Sequence, residues 1–409
     1  MARGPGVRRA AFAFALVVLA SACAGSPPRT TSSPQTTTVA IPTTPPPSSA
    51  SPTPTPSPRV GPAVVENVQL VASGLVAPWA VDLAPDGRLF VTERAGRVRI
   101  VQLGQGGGLR SEPWATLPAS TSRDGEKGLL GIAVDPDFAR NGFVYLYYSY
   151  AAANGSTRNK VVRLHDDSGR GTEETVLLDA IPGNANHDGG RVKFGPDGKL
   201  YVTTGDAENG ANAQNPAALA GKILRINKDG SVPADNPVPG SPVWSLGHRN
   251  VQGIAWHPDT GALYETEHGP SNPFPDCCHD EVNLIERGGN YGWPTVRAIA
   301  NDQRFRDPLI ESGTFETWAP SGATFASSPG PLRGSLLFAT LRGQHLHRVV
   351  FGADGRTVAF QEKLLTNQYG RLRDVYEIAT GELLVLTSNR DGRGQPVPDD
   401  DRVLLVTLR

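Results

Sequence analysis

Six times along the chain, a short run of alternating apolar and polar residues reaches a turn signal and resumes as a second such run. In Val81–Thr92 the turn falls at Asp86-Gly87. An Asp-Gly step between two such runs is a strong hairpin signal, because Gly accepts the positive φ that tight turns demand. The unit recurs at Ile132–Ser149 around Asn141-Gly142, at Val192–Thr204 around Asp197-Gly198, and at Ile254–Thr266 around Thr260-Gly261. Ala323–Thr340 and Val375–Thr387 complete the series, turning at Pro331–Gly334 and Thr380-Gly381. No long amphipathic helix interrupts it, and the period is about 50 to 70 residues. Strands at that spacing predict an all-β fold, a six-bladed β-propeller of four-stranded antiparallel blades. A string of β-sandwiches is the alternative, disfavoured because no Pro/Ser-rich break divides residues 63–409.

Composition shifts sharply before that body. Residues 1–22 carry Arg3, Arg8 and Arg9, an apolar run from Ala10 to Ala20, then Ser21-Ala22 ahead of Cys23. A basic start, a short apolar stretch and small residues before a cut predict an export signal peptide. The run is shorter than the roughly 20 residues that cross a bilayer as a helix. Cys23 behind small residues predicts a lipoprotein-type anchor, with ordinary cleavage as the plainer reading. From Ser26 to Pro58, 27 of 33 residues are Pro, Ser or Thr, and Arg29 is the only charge. Such a stretch buries too little apolar surface to offset its ordering entropy. Residues 23–62 therefore read as a disordered linker and 63–409 as the functional body. The expected location is the cell envelope, outside the cytoplasmic membrane, with the lipid anchor as the only membrane attachment.

The formal net charge is −1, and −4 once the three signal-peptide arginines are set aside. No basic stripe of the kind a phosphate backbone demands is present, so nucleic acid is not an expected partner. The chain also lacks a Gly-rich dinucleotide loop, a phosphate-binding Gly-Lys-Ser/Thr, a Cys/His zinc spacing and a Gly-x-Ser-x-Gly elbow. Nicotinamide enzymes, kinases and serine hydrolases thus find no support. Adjacent Cys277 and Cys278 read either as a vicinal disulfide or as two reduced thiols in a loop.

On a repetitive β scaffold, chemistry resides in the loops. His187 lies in Asn186-His187-Asp188-Gly189-Gly190-Arg191, just ahead of a strand. Neutral imidazole is a natural base for an alcohol proton, and the flanking glycines leave room for a ligand. Asp188 or Asn186 is expected to orient the ring; a backbone-bonded structural His is the bland reading. Arg249, Asn250 and Gln252 surround Val251, and Arg371-Leu372-Arg373 repeats the alternation. With Arg342 these groups would suit a ligand bearing several carboxylates, although an isolated Arg-x-Arg is usually a solvated strand face. Gly269-Pro270 offers two unobstructed carbonyls of the kind Ca²⁺ accepts, but alone it is an ordinary turn. Asp280, Glu281 and Asn283 either add oxygen ligands or brace that loop.

Taken together, Glu126–Asp137, Asn186–Arg191, Gly247–Gly253, Glu267–Pro270, Asp280–Asn283, Asn290–Pro294 and Arg371–Val375 resemble the soluble quinoprotein sugar dehydrogenases. The resemblance is strongest to their aldose sugar dehydrogenase branch and spans residues 66–409. It implies pyrroloquinoline quinone (PQQ) held over the propeller channel, with Ca²⁺ bridging cofactor and protein. By motif, His187 would be the general base and Arg249 would stabilise charge on the quinone oxygen. Asn250 and Gln252 would contact the cofactor, while Arg342, Arg371 and Arg373 would hold its carboxylates. Gly269 and Pro270 would donate carbonyls to Ca²⁺. The implied reaction is oxidation of an aldose at C1 to a lactone, with electrons passing to an external acceptor. Asn186 stands where glucose-specific relatives carry Asp, and Thr295–Asn301 lacks ligands for their second calcium. A calcium-dependent propeller lactonase and a non-catalytic cell-surface binding propeller are the alternatives.

Overall fold

The computed structural model describes residues 60–104, 107–122, 124–271 and 277–409. The signal peptide, Cys23 and all but the last residues of the linker lie outside the described residues. Within them the chain is almost entirely β, and its strands form six antiparallel sheets. Each predicted hairpin supplies the two innermost strands of one sheet. In blade one these are Pro78–Leu83 and Arg88–Glu93; in blade two, Leu129–Val134 and Phe143–Ala151. Blades three and four open with Val192–Phe194 and Val251–Trp256, blades five and six with Pro320–Phe325 and Leu372–Glu377. The six-bladed propeller expected from the repeat is the observed fold.

Most middle strands carry continuous apolar runs rather than a clean alternation. Phe143–Ala151 reads FVYLYYSYA, with Tyr145, Tyr147 and Tyr148 fully buried. This is what radial packing requires, since a strand between two neighbouring sheets is covered on both faces. Each such side chain contributes roughly 1.5–3 kcal/mol on burial. The core is accordingly a ring of inter-blade clusters: one runs through blades one to three, and others join four to five, five to six and six to one.

Two details escape the hairpin pattern. Val65–Ala72, at the start of the body, is the outer strand of blade six and pairs with Val403–Leu408 at its end. The ring is thus closed by joining the two ends of the body. In blade one the outer position is shared by two short strands, Gly108–Leu109 and Ala115–Thr116, both paired with Arg97–Gln102.

Candidate active site

All six inner strands begin at one end of the channel, and the candidate residues gather there. A cleft of about 530 Å³ is lined by Glu126, Asn186, His187, Glu208, Arg249, His268, Ser271, Ala319, Leu341, Arg342, Arg371 and Arg393. These come from the loops entering blades two to six and from those leaving the second strands of blades three to six. Four predicted residues, His187, Arg249, Arg342 and Arg371, therefore meet around one cavity. Asn250, Gln252 and Arg373 are buried just beneath it.

His187 occupies the left-handed region, with φ of 60°. A non-glycine residue in such a conformation costs on the order of 1–3 kcal/mol, sustained by surrounding packing. Here the turn after the second strand of the same blade presses against it: a Cβ on Gly205 would stand 1.9 Å from the His187 carbonyl oxygen. The ring Nδ1 lies 2.8 Å from Asp206 Oδ1. Asp206 Oδ2 accepts the indole N–H of Trp293 at 2.8 Å, and the Arg249 guanidinium lies 5.4 Å from the Trp293 ring centroid. With Nδ1–H donated to the carboxylate, Nε2 is left with its lone pair, the tautomer a base needs.

The orienting group is therefore Asp206, correcting the expectation for Asp188 or Asn186. Asp188 is buried behind the loop, where it accepts Asn159 Nδ2 and the Asn184 amide. Burial pushes its carboxyl up to about 7. Asn186 bonds outward, to Glu208 Oε1 at 3.0 Å and to Arg393 Nη2 at 2.7 Å.

Glu126, unassigned from sequence, sits at the junction. One oxygen accepts the His187 amide at 3.2 Å and Asn250 Nδ2 at 3.0 Å; the other pairs with Arg393 at 2.9 Å. Burial alone would raise its carboxyl, but its electrostatic interactions with His268, His187 and Arg393 outweigh that and hold the group far below the usual range. Asp391 does the same for the arginines. It bonds Arg371 Nε at 2.9 Å and lies 3.6 Å from Arg373. Burial raises Asp391, and Arg371 followed by Arg373 more than reverses that. Arg373 in turn donates to Gln252 Oε1 at 2.8 Å. Asp206, Glu126, Asp391 and Arg393 were missed individually. A signal existed for Asp206, Asp391 and Arg393, which follow the second strand of a blade just as His268 and Arg342 do.

Gly269 and Pro270 line a smaller adjoining cavity that shares Arg249 and His268 with the cleft. Asp280 braces this loop: its carboxylate accepts the amides of Gly269 (2.9 Å), Trp318 (2.6 Å) and Ala319 (2.9 Å), and the Thr317 hydroxyl (3.1 Å). No side chain fits at Gly269, where a Cβ would approach the Cys278 carbonyl oxygen to 1.9 Å. Cys277 and Cys278 form a disulfide. Behind Arg249, the buried His248 lies 3.0 Å from Glu267, which also accepts the Arg249 amide. Burial pushes the Glu267 carboxyl up to about 8. Among the described residues, His268 Nε2 and Arg373 Nε are buried without a hydrogen-bond partner. Four guanidiniums thus line the cleft against two carboxylates, with two unsatisfied buried nitrogens beside them. That donor set fits a planar polyanion such as PQQ.

A propeller with a carboxylate-held histidine inside a ring of guanidiniums at its channel mouth defines a quinoprotein-type site. The family model described as Glucose / Sorbosone dehydrogenase matches residues 75–403, and the chain belongs to this family. Aldose sugar dehydrogenase YliI of Escherichia coli (strain K12) is 32% identical over 354 residues, covering 81% of this chain and 92% of that protein. Quinoprotein glucose dehydrogenase B of Acinetobacter calcoaceticus is 32% identical over 266 residues, 58% of this chain and 54% of that one. Among solved structures, the PQQ-bound aldose sugar dehydrogenase of Streptomyces coelicolor superposes with a TM-score of 0.76 at 36% identity, covering 86% of this chain and 100% of that one. The resemblance to soluble quinoprotein sugar dehydrogenases is borne out.

Proposed function

We propose that the protein is a PQQ- and Ca²⁺-dependent aldose dehydrogenase that oxidises the C1 hydroxyl of a sugar to the lactone. The observation that carries this reading is the convergence of the His187–Asp206 pair and four arginines on one cleft. Bound PQQ would supply the acceptor for the C1 hydride, the two-electron half of the oxidation. His187 Nε2 takes the proton of the C1 hydroxyl, and Asp206 stabilises the imidazolium that results. Arg249, fixed by the His268 carbonyl at 3.0 Å, would offer a permanent cation to negative charge developing on the acceptor. Arg342, Arg371 and Arg373 would hold the cofactor carboxylates, and Asn250 and Gln252 would complete its contacts. Gly269 and Pro270 would give their carbonyls to Ca²⁺, with Asp280 keeping that loop in place.

Electrons then leave to an external acceptor. The export signal and Cys23 support a body tethered outside the cytoplasmic membrane by a lipid anchor. Among the described residues no helix is long and apolar enough to cross a membrane. A metal-dependent lactonase would need carboxylates at the channel mouth to cage its ion; the guanidinium lining disfavours it. The test is to add PQQ and Ca²⁺ to the purified protein and follow dye reduction with several aldoses. Turnover that depends on both additions is expected. Absence of turnover together with no change in the quinone absorbance refutes the reading.

A further inference from the structure

The inner strands end at the opposite mouth of the channel, where a second cavity of about 310 Å³ opens. All six blades contribute to it. Its polar floor is made by Asp82, Lys193 and Tyr376, and Phe194, Trp256 and Phe325 stand among its walls. Two residues earlier in the chain, Arg191 and Asp374 pair across the axis at 2.7 Å, and Arg191 stacks on Trp79 at 4.3 Å. That pair lies between this cavity and the cleft of His187.

Lys193 reaches from blade three to the Ala323 carbonyl of blade five at 2.7 Å. Asp82 accepts the Val134 amide from blade two at 2.7 Å. Burial pushes the Asp82 carboxyl up to about 6 and pulls the Lys193 ammonium down to about 8, as expected of a secluded polar floor. Near neutral pH the two charges cancel, so the cavity favours neither an anion nor a cation. It does present an ammonium donor, a carboxylate acceptor and a phenol beneath aromatic walls. Vicinal hydroxyls match the first set, and the C–H faces of a pyranose match the second. The volume lies at the lower end of the roughly 300–1,000 Å³ typical of small-molecule sites.

We propose that this far mouth is a second, non-catalytic binding site for a neutral monosaccharide, with its ring against Trp256 and its hydroxyls on Asp82 and Lys193. The site stands independently of the redox reading, because nothing in it requires the sugar to be oxidised.

The experiment uses the full chain loaded with PQQ and Ca²⁺ and methyl β-D-glucopyranoside, whose C1 oxygen is blocked against oxidation. Binding is followed by ligand-observed NMR, and a sugar-soaked crystal locates the ligand. Sugar density between Trp256 and Asp82 is expected. Asp82→Asn and Trp256→Ala should each weaken that binding about tenfold, or about 1.4 kcal/mol, while dye-reduction kcat stays within about twofold. Arg249→Ala should leave it intact. Trp256→Ala, on a partly exposed wall, decides the matter should Asp82→Asn fail to fold. An empty far mouth overturns the proposal, as does sugar binding abolished by Arg249→Ala yet untouched by Trp256→Ala. Acetate or ammonium ions binding there in preference to the sugar would overturn its neutral character.

Discussion

Asp206→Asn keeps the shape of a carboxylate while removing its charge from beside His187. The side chain is only 3% exposed, so water cannot take over its electrostatic work. One oxygen receives His187 Nδ1 and the Glu208 amide, both at 2.8 Å; the other receives Trp293 Nε1 at 2.8 Å. An amide cannot satisfy all three. With its oxygen toward His187, its NH₂ faces the indole N–H; flipped, it donates to Nδ1 and moves the imidazole proton onto Nε2. Two unit charges about 4 Å apart at an effective dielectric of about 20 interact by roughly 4 kcal/mol. The retained hydrogen bond returns part of this, leaving about 2–4 kcal/mol of lost imidazolium stabilisation. The expected outcome is a fall in kcat of about 30- to 1,000-fold, with KM little changed because the charge appears only as the proton moves. The assay is steady-state dye reduction with the PQQ- and Ca²⁺-loaded enzyme, and an absorbance titration confirms that PQQ still binds. A kcat within about threefold of the parent, with PQQ fully bound, refutes the assignment of His187 and Asp206.

Other expectations follow from the same geometry. Arg371→Ala and Arg373→Ala should each raise the PQQ concentration for half-reconstitution about 100-fold, as loss of a charge-assisted bond of roughly 2–3 kcal/mol implies; unchanged reconstitution curves would remove them from the cofactor site. Asp280→Ala deletes the carboxylate that accepts the Gly269, Trp318 and Ala319 amides and should raise the Ca²⁺ needed for half-activation at least about tenfold. An identical Ca²⁺ dependence would show that the loop holds itself. For Asp188, burial raises the carboxyl from 3.8 to about 7, so the folded state prefers its acid form. That contribution to stability is complete below the unfolded value and is lost as pH rises through about 7. The Tm of the parent should therefore decline, relative to Asp188→Asn, by at least about 2 °C between pH 4 and 7; parallel profiles would contradict it.

The six hairpins, the all-β class and the blade number were legible in the sequence because each depends on neighbours a few residues apart. Alternation and Gly-bearing turns such as Asp86-Gly87 and Asp197-Gly198 act locally, whatever the rest of the chain does. The candidate site loops were legible for a related reason: His187, Arg249 and Arg371 lie in the short loops leading into inner strands. Their partners were not. Asp206 meets His187 from 19 residues away, and Arg393 reaches Glu126 across 267. Nor could local pattern reveal that Val65–Ala72 closes the ring on Val403–Leu408. Those contacts exist only after six sheets have each turned the chain by a fixed angle and brought both ends together. A periodic pattern specifies the blade; which charges face one another across the channel is decided by the sum of all six rotations.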